Sequence, residues 1–186
     1  MFQFFGAYEK HDWVVPVSLC LSAFMEKEAC IVTDDFTTYK YFEGEISGVR
    51  VSSFPLEGYL HVYDMYRSIV ADLEEARLIL CANMSRNSLD VVKDVQSKVS
   101  YSGLVLETQA SSFSTKYVET YLVTDIPTFI YSDGSQRRID MGFNGKINFK
   151  NLDDGFLKSL GKFLVSQAGV PQNQLSSLWK FLKGRG

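Results

Sequence analysis

Phe2-Gln3-Phe4-Phe5-Gly6-Ala7-Tyr8-Glu9-Lys10-His11-Asp12, followed by the apolar run 13–25, is the stretch that decides the fold. Phe2–Phe5 is a short apolar run that stops at Gly6, the pattern of a strand covered on both faces. The turn then reaches Asp12, a residue suited to cap a helix. Residues 13–25 supply that helix, with Pro16 expected in its first turn, where a missing N–H costs little. A buried strand leading through a glycine turn into a buried helix is how a parallel α/β sheet begins.

The same alternation continues outward. Ala29–Thr33 reads as a second buried strand with Asp34 and Asp35 at its end. Residues 36–48 read as an irregular connection, and 49–54 as a third strand stopped by Pro55. Val62, Met65, Tyr66, Ile69, Val70 and Leu73 recur at helical spacing, so 61–75 is expected to be helical. Further strands are predicted at 77–82, 101–106 and 127–131. Helices are predicted at 88–99, with Leu89, Val92, Val95 and Val99 inward, and at 114–122. The glycine-rich stretch 132–151 reads as a loop. Residues 152–166 read as a helix with Leu152, Phe156, Leu160, Phe163 and Leu164 inward. The predicted fold class is α/β, a mostly parallel sheet flanked by helices on both faces. Ligands in such sheets bind beyond the carboxyl ends of the strands. Those ends are 6–11, Asp34 with Asp35, 52–55, 83–87 and 107–109.

Composition bounds the function classes. The chain has 186 residues, 46% hydrophobic and 22% charged. That is enough to bury about two thirds of its unfolded surface and excludes disordered and low-complexity classes. The net charge of −3 argues against a general nucleic-acid surface. The charge is unevenly spread: residues 155–186 carry Lys158, Lys162, Lys180, Lys183 and Arg185 and no acid, which suggests a local partner for that end. The three cysteines, Cys20, Cys30 and Cys81, lie in apolar stretches without a C-x-x-C and read as buried free thiols of a reducing, cytoplasmic compartment. With only His11 and His61 as histidines, no metal site is expected. The longest apolar run, 13–25, falls short of the ~20 residues that span a bilayer.

A glycine turn between the first strand and first helix is the usual place to hold a phosphate, against free N–H groups and the positive end of the helix dipole. Here the chain resembles the MinD/ParA family of P-loop ATPases, whose loop ends in Gly-Gly-x-Gly-Lys-(Thr/Ser). Gly6 matches the first of those glycines and Lys10 the phosphate lysine. Ala7 and Glu9 stand where the family has glycine, His11 where a hydroxyl would ligate Mg²⁺, and Phe5 near the second lysine's place. Asp34 matches the aspartate that orients water. The third strand, 49–54, offers Ser52 and Ser53 in place of the acid that steadies Mg²⁺. The segment 77–95 resembles the family's strand, loop and Ser-Leu helix start, and Glu107 or Thr108 stands where an adenine-reading asparagine is frequent. The resemblance covers roughly 1–168. It implies a reduced P-loop NTPase-like fold with a degenerate site (Gly6, Lys10, Asp34), a pseudo-ATPase without a cofactor.

Residues 1–170 are taken as the α/β domain and 171–186 as an amphipathic tail. At 100° per residue, Phe181, Leu178, Leu182, Leu175 and Trp179 share one arc of about 160°, with Lys180 and Lys183 on the rest. Such a helix suits an anionic membrane interface, and it is similar to the membrane-targeting helix of MinD proteins. The same spacing fits a last helix packed on the body with its lysines outward. The reading preferred from the sequence is a homodimeric scaffold or positioning factor, peripheral on the inner face of the cell membrane, that binds protein partners. By analogy with the family, its setting would be a secretion or pilus-type envelope machine. Two alternatives stand beside it. One is a working ATPase in which Lys10 binds phosphate, Asp34 directs water and Mg-ATP is bound. The other is a soluble interaction module with the tail packed home.

Overall fold

Strand β1 (Phe2–Phe5) lies near the centre of an eight-stranded sheet, hydrogen-bonded in parallel on both sides and buried at every residue. The structure, a computed structural model, describes residues 1–40, 44–71, 73, 76–108, 115–122, 125–132 and 134–184. The predicted strand-end residue Gln109, the helix start at 114 and the basic Arg185 lie outside these. In chain order the elements after β1 are α1 (His11–Met25), β2 (Ala29–Thr33), α2 (Phe36–Tyr39), β3 (Glu45–Ile46), β4 (Val49–Ser52), β5 (Leu60–Met65), β6 (Arg77–Asn83), α3 (Arg86–Gln96), β7 (Gly103–Thr108), α4 (Thr115–Leu122), β8 (Thr128–Ser132), α5 (Ser135–Asn144), α6 (Asp154–Ala168), a single 3₁₀ turn, and α7 (Leu175–Gly184).

The strand order is β3-β4-β2-β5-β1-β6-β7-β8. Every pairing is parallel except the β3–β4 hairpin. That hairpin turns at Ser47 and Gly48, both with φ > 0 (54° and 80°). The alternation of side chains along each strand divides the core in two. Phe2, Phe4, Ile31, Ile79 and Val105 point to the face covered by α1, α5, α6 and α7. Phe5, Val32, Leu80, Leu104 and Leu106 point to the face covered by α3 and α4. This is the α/β class expected, with helices on both faces of a mostly parallel sheet.

The first face is aromatic. The Phe163 ring of α6 sits 5.3 Å from Phe2, 5.6 Å from Phe4 and 5.2 Å from Phe129 between ring centroids. Trp13 of α1 meets it edge-on at 5.9 Å and stacks on Tyr131 at 5.1 Å. Phe156, Leu160, Phe163 and Leu164 of α6 are buried as expected, and Leu152, which lies before the helix begins rather than in it, is buried too. Aromatic pairs of this kind add about 0.5–1.5 kcal/mol beyond the area they bury.

Five expectations are corrected, the first being 36–48, read as an irregular connection, which holds α2 and strand β3. Residues 61–75 do not form a helix: 60–65 is strand β5, inserted between β1 and β2. The spacing of Val62, Met65 and Tyr66 fits either period. Two neighbouring strands whose backbone groups need partners decide it. Ile69, Val70 and Leu73 still pack on the second core, from irregular chain. Within 132–151, read as loop, Ser135–Asn144 is helix α5, ended by Gly145 in the left-handed conformation, the usual C-terminal stop. Helix α1 starts at His11 rather than beyond Asp12, so its cap position is Lys10 and Pro16 falls in the second turn. Val99 lies past the end of α3 and is exposed.

Helix α7 belongs to the first core. Leu175, Leu178 and Leu182 are buried, and Trp179 stacks on Phe149 with centroids 6.3 Å apart. Gly161 of α6 admits this close packing, since a Cβ there would lie 3.2 Å from Leu175 Cδ1. No helix among the described residues is long and apolar enough to cross a membrane.

Candidate functional site

The β1–α1 loop leaves the sheet at Gly6, and the reason for glycine is its neighbour: a Cβ there would sit 2.2 Å from the Cys81 carbonyl oxygen on β6. The Gly6 N–H donates to the Met65 carbonyl at the end of β5. The loop is thus held between the two strands that flank β1. It then turns at Lys10, whose carbonyl accepts the N–H groups of Trp13 and Val14, both at 2.9 Å.

The Lys10 side chain folds back under the loop. Its Nζ lies 2.8 Å from Asp64 Oδ1 and donates to the Gly6 carbonyl at 3.1 Å. The Tyr39 hydroxyl donates to Asp64 Oδ2 at 2.6 Å. The Tyr66 ring lies 5.6 Å from the ammonium. Lys10 and Asp64 are almost fully buried, at 2% and 6% side-chain exposure. Burial, reinforced by the Asp64 charge, pushes the Tyr39 hydroxyl well above its ordinary pKa. The cavity beside this cluster, lined by Tyr8, Thr33, Asp35 and Tyr39 among others, measures about 10 Å³. One water needs about that much, and a phosphate group needs more.

Asp64 corrects the sequence reading in one respect. The third strand of the sequence reading, 49–54, offers Ser52 and Ser53 where the resemblance expects an acid that steadies a metal. That segment, β4, pairs with β2 and β3 and is not adjacent to β1. The adjacent strand is β5, and it carries Asp64 at its carboxyl end. Helical spacing around Val62 hid the strand and, with it, the acid.

Asp34, the expected water-orienting residue, holds a turn. Its carboxylate accepts the backbone N–H groups of Tyr66, Arg67 and Ser68 at 2.7, 2.9 and 3.0 Å. Successive N–H groups of this sort form a nest suited to an anion, and a carboxylate of the same chain fills it. Asp35 caps α2 by accepting from the Thr37 N–H at 3.1 Å and the Thr38 hydroxyl at 3.2 Å. Burial acts to raise its carboxyl, but the Thr37 and Thr38 hydrogen bonds outweigh that and leave it below its ordinary value. His11 is buried edge-on to Tyr39, 6.2 Å between centroids.

A second buried charge cluster adjoins the start of α1. Asp12, with no exposed surface, accepts from Arg137 Nε and Nη2 at 3.2 and 3.0 Å. The Arg137 guanidinium also lies over the Phe156 ring at 4.2 Å, and its Nη2 donates to the Ser132 carbonyl at 2.9 Å. Arg138 pairs with Glu107 at the end of β7, with its Nε 3.8 Å from Asp12. None of these four was assigned a partner from the sequence. The pair Arg137-Arg138 in a stretch read as loop was the available signal, since adjacent arginines beyond a buried strand need carboxylates nearby. Burial raises the thiols of Cys20 and Cys81, which makes both poor nucleophiles. Among the described residues no group of three His, Cys, Asp or Glu side chains is placed to hold a metal.

The residues expected to face a membrane divide between two sides of α7. Leu175, Leu178 and Leu182 face the core, and Trp179 is half-buried. Lys180 and Phe181 are exposed, and Lys183 is partly so. No protein-family model matches the chain, and no curated protein sequence matches it.

Proposed function

We propose that this chain is a MinD/ParA-like α/β protein whose nucleotide site has become an internal ion pair, and that it works as a non-hydrolysing scaffold for protein partners. The carrying observation is Lys10 on Asp64. The lysine that would meet a phosphate is neutralised by the acid that would steady a metal, in a space of about 10 Å³. Asp34 is spent on the 66–68 turn, and the acids Asp12 and Glu107 are engaged by Arg137 and Arg138. A polyphosphate arriving here would meet carboxylates already in place and would have to break a buried pair. The likeness to the family rests on the glycine turn, the parallel strand order and an acid facing Lys10 from the strand beside β1.

Thermal denaturation with and without millimolar Mg-ATP tests this reading. A ligand at a hundredfold excess over its Kd adds about 2.7 kcal/mol, which raises the Tm of a chain this size by about 5–10 °C. The proposal expects no shift. A rise of several degrees that Lys10→Ala removes establishes the alternative, an ATPase with an atypical loop.

A second reading, peripheral membrane association on the cytoplasmic side, is favoured by the outer side of α7. Lys180 and Phe181, with Phe181 49% exposed, lie in an acid-free end of the chain. The buried leucines are unsuited to this role, because each holds about 1.5–3 kcal/mol of burial that unpacking would forfeit. Co-sedimentation with anionic liposomes tests it, comparing the wild type with a Lys180→Glu/Phe181→Ser variant that leaves the core leucines in place. Pelleting of the wild type alone supports the reading, and equal behaviour of the two rejects it.

A further inference from the structure

Helices α6 and α7 meet at Gly161, where a Cβ would lie 3.2 Å from Leu175 and 3.7 Å from Trp179. Around α6, Lys158 and Lys162 follow Gly161 by about 60° and 100°, at about 100° per residue. They lie on the side away from the buried Leu160, Phe163 and Leu164. Around α7, Lys183 and Lys180 follow Trp179 by about 40° and 100°, on the side away from the buried Leu178 and Leu182. Both pairs therefore border the solvent side of one groove, with the half-buried Trp179 between them. Lys158, Lys162 and Lys180 are exposed and Lys183 is partly so. Exposed cations of α3 have acids beside them, Arg86 with Asp90 and Lys98 with Asp94. Among the described residues, no ion pair engages any lysine of the groove. The acids of α6 are confined to its start, at Asp153 and Asp154.

We infer that this groove binds a short acidic segment of a protein partner, with Asp or Glu side chains seated between the two lysine pairs. Lysines one helical turn apart match carboxylates at i and i+4 of a partner helix, and opposite charge steers the encounter. The same face is poorly made for a bilayer. The apolar side of α7 is spent in the core, and Phe181 points about 100° from Lys180 and 160° from Lys183, so no exposed large apolar residue stands among the lysines to enter the lipid. Extent of the partner matters as well. Outside 155–186 the chain holds all 22 acids against 14 bases. A bilayer or a long nucleic-acid strand reaches past the lysines onto that acidic body, whereas a short segment meets the lysines alone. The inference gives the scaffold's partner a chemistry and rests on that reading, but it involves neither Lys10 nor Asp64.

Fluorescence anisotropy with a labelled peptide of about a dozen Glu and Asp residues tests it. The full chain should bind the peptide with a micromolar Kd at about 20 mM salt and release it at about 0.5 M. Lys158→Glu/Lys162→Glu and Lys180→Glu/Lys183→Glu should each weaken binding by about tenfold. The milder Lys158→Gln/Lys162→Gln should weaken it by about threefold with Tm unchanged, as surface substitutions do. Lys27→Glu/Arg86→Glu makes an equal change of charge at exposed positions away from the groove and should stay within about twofold of the wild type. A peptide that the full chain does not bind, or that the groove variants and the control bind alike, overturns the proposal. So do phosphatidylserine vesicles or a single-stranded oligonucleotide that engage the same four lysines at lower concentration than the peptide, since the face then serves a membrane or a nucleic acid. The Mg-ATP melting test fails separately: a Tm rise there removes the closed nucleotide site and leaves the groove result standing.

Discussion

Lys10 Nζ and Asp64 Oδ1, 54 positions apart in the chain, meet at 2.8 Å with both side chains buried. The contact ties the cap position of α1 to the end of β5, and Tyr39 completes it by donating to the other carboxylate oxygen. Such a pair is weak evidence for stability, because desolvation offsets much of the attraction. Its importance is in what happens when one half is removed.

Lys10→Met should therefore destabilise the protein by about 3–5 kcal/mol, since it strands Asp64 as an unpaired buried charge. The double variant Lys10→Met/Asp64→Leu should recover most of that loss. Urea unfolding of the set measures it. Equal stability of the single and double variants contradicts the ion-pair account.

Gly6→Ala should lower stability by about 1–3 kcal/mol or more, as an overpacked site does. The added Cβ falls 2.2 Å from the Cys81 carbonyl oxygen, a backbone atom that can move only with β6. Gly142→Ala is the control, with nothing within 4 Å of its Cβ, and should be neutral or slightly stabilising in mid-helix.

In α7 the two faces should respond differently. Leu178→Ala should cost about 2–5 kcal/mol as a core truncation, and Phe181→Ser should stay within about 0.5 kcal/mol as a surface change. Denaturant midpoints decide. Matching small effects at both positions count against a packed tail.

Alkaline pH should unfold this protein steeply. Burial holds the hydroxyls of Tyr8, Tyr39 and Tyr131 and the thiols of Cys20 and Cys81 neutral well above their ordinary values. In the unfolded chain these groups ionise at about pH 8.5–10. Their contribution is whole below that range and is lost progressively as pH rises above it toward the raised folded-state values, at up to about 1.4 kcal/mol per pH unit for each group. Urea midpoints taken from neutral pH to about pH 11 should fall progressively. Tyr131→Phe should flatten the slope, and a midpoint independent of pH above about 9 refutes the burial argument.

Much of the fold could be read directly. Phe2–Phe5, Ala29–Thr33 and 77–82 are apolar on both faces, which only a covered parallel sheet satisfies, and Gly6 marks the turn into the first helix. Phe156, Leu160, Phe163 and Leu164 mark one face of a helix by period alone. The candidate site was half legible. Lys10 stood out by its place four residues after the glycine, whereas Asp64 lay inside a segment whose apolar spacing matched a helix as well as a strand.

Sequence by itself determined the α/β class, the two-sided burial of the first strand and the amphipathic character of 175–184, because these depend on local pattern and on which side chains avoid water. Tertiary structure alone decided that 60–65 is a strand, since hydrogen bonds from β1 and β2 on either side outweigh an ambiguous period. It alone joined Lys10 to Asp64, and Arg137 to Asp12 across 125 positions. It also decided what covers the leucine face of α7. A hydrophobic face specifies that it will be buried and says nothing of the surface that buries it, and here α1 and Gly161 of α6 stand close enough to do so.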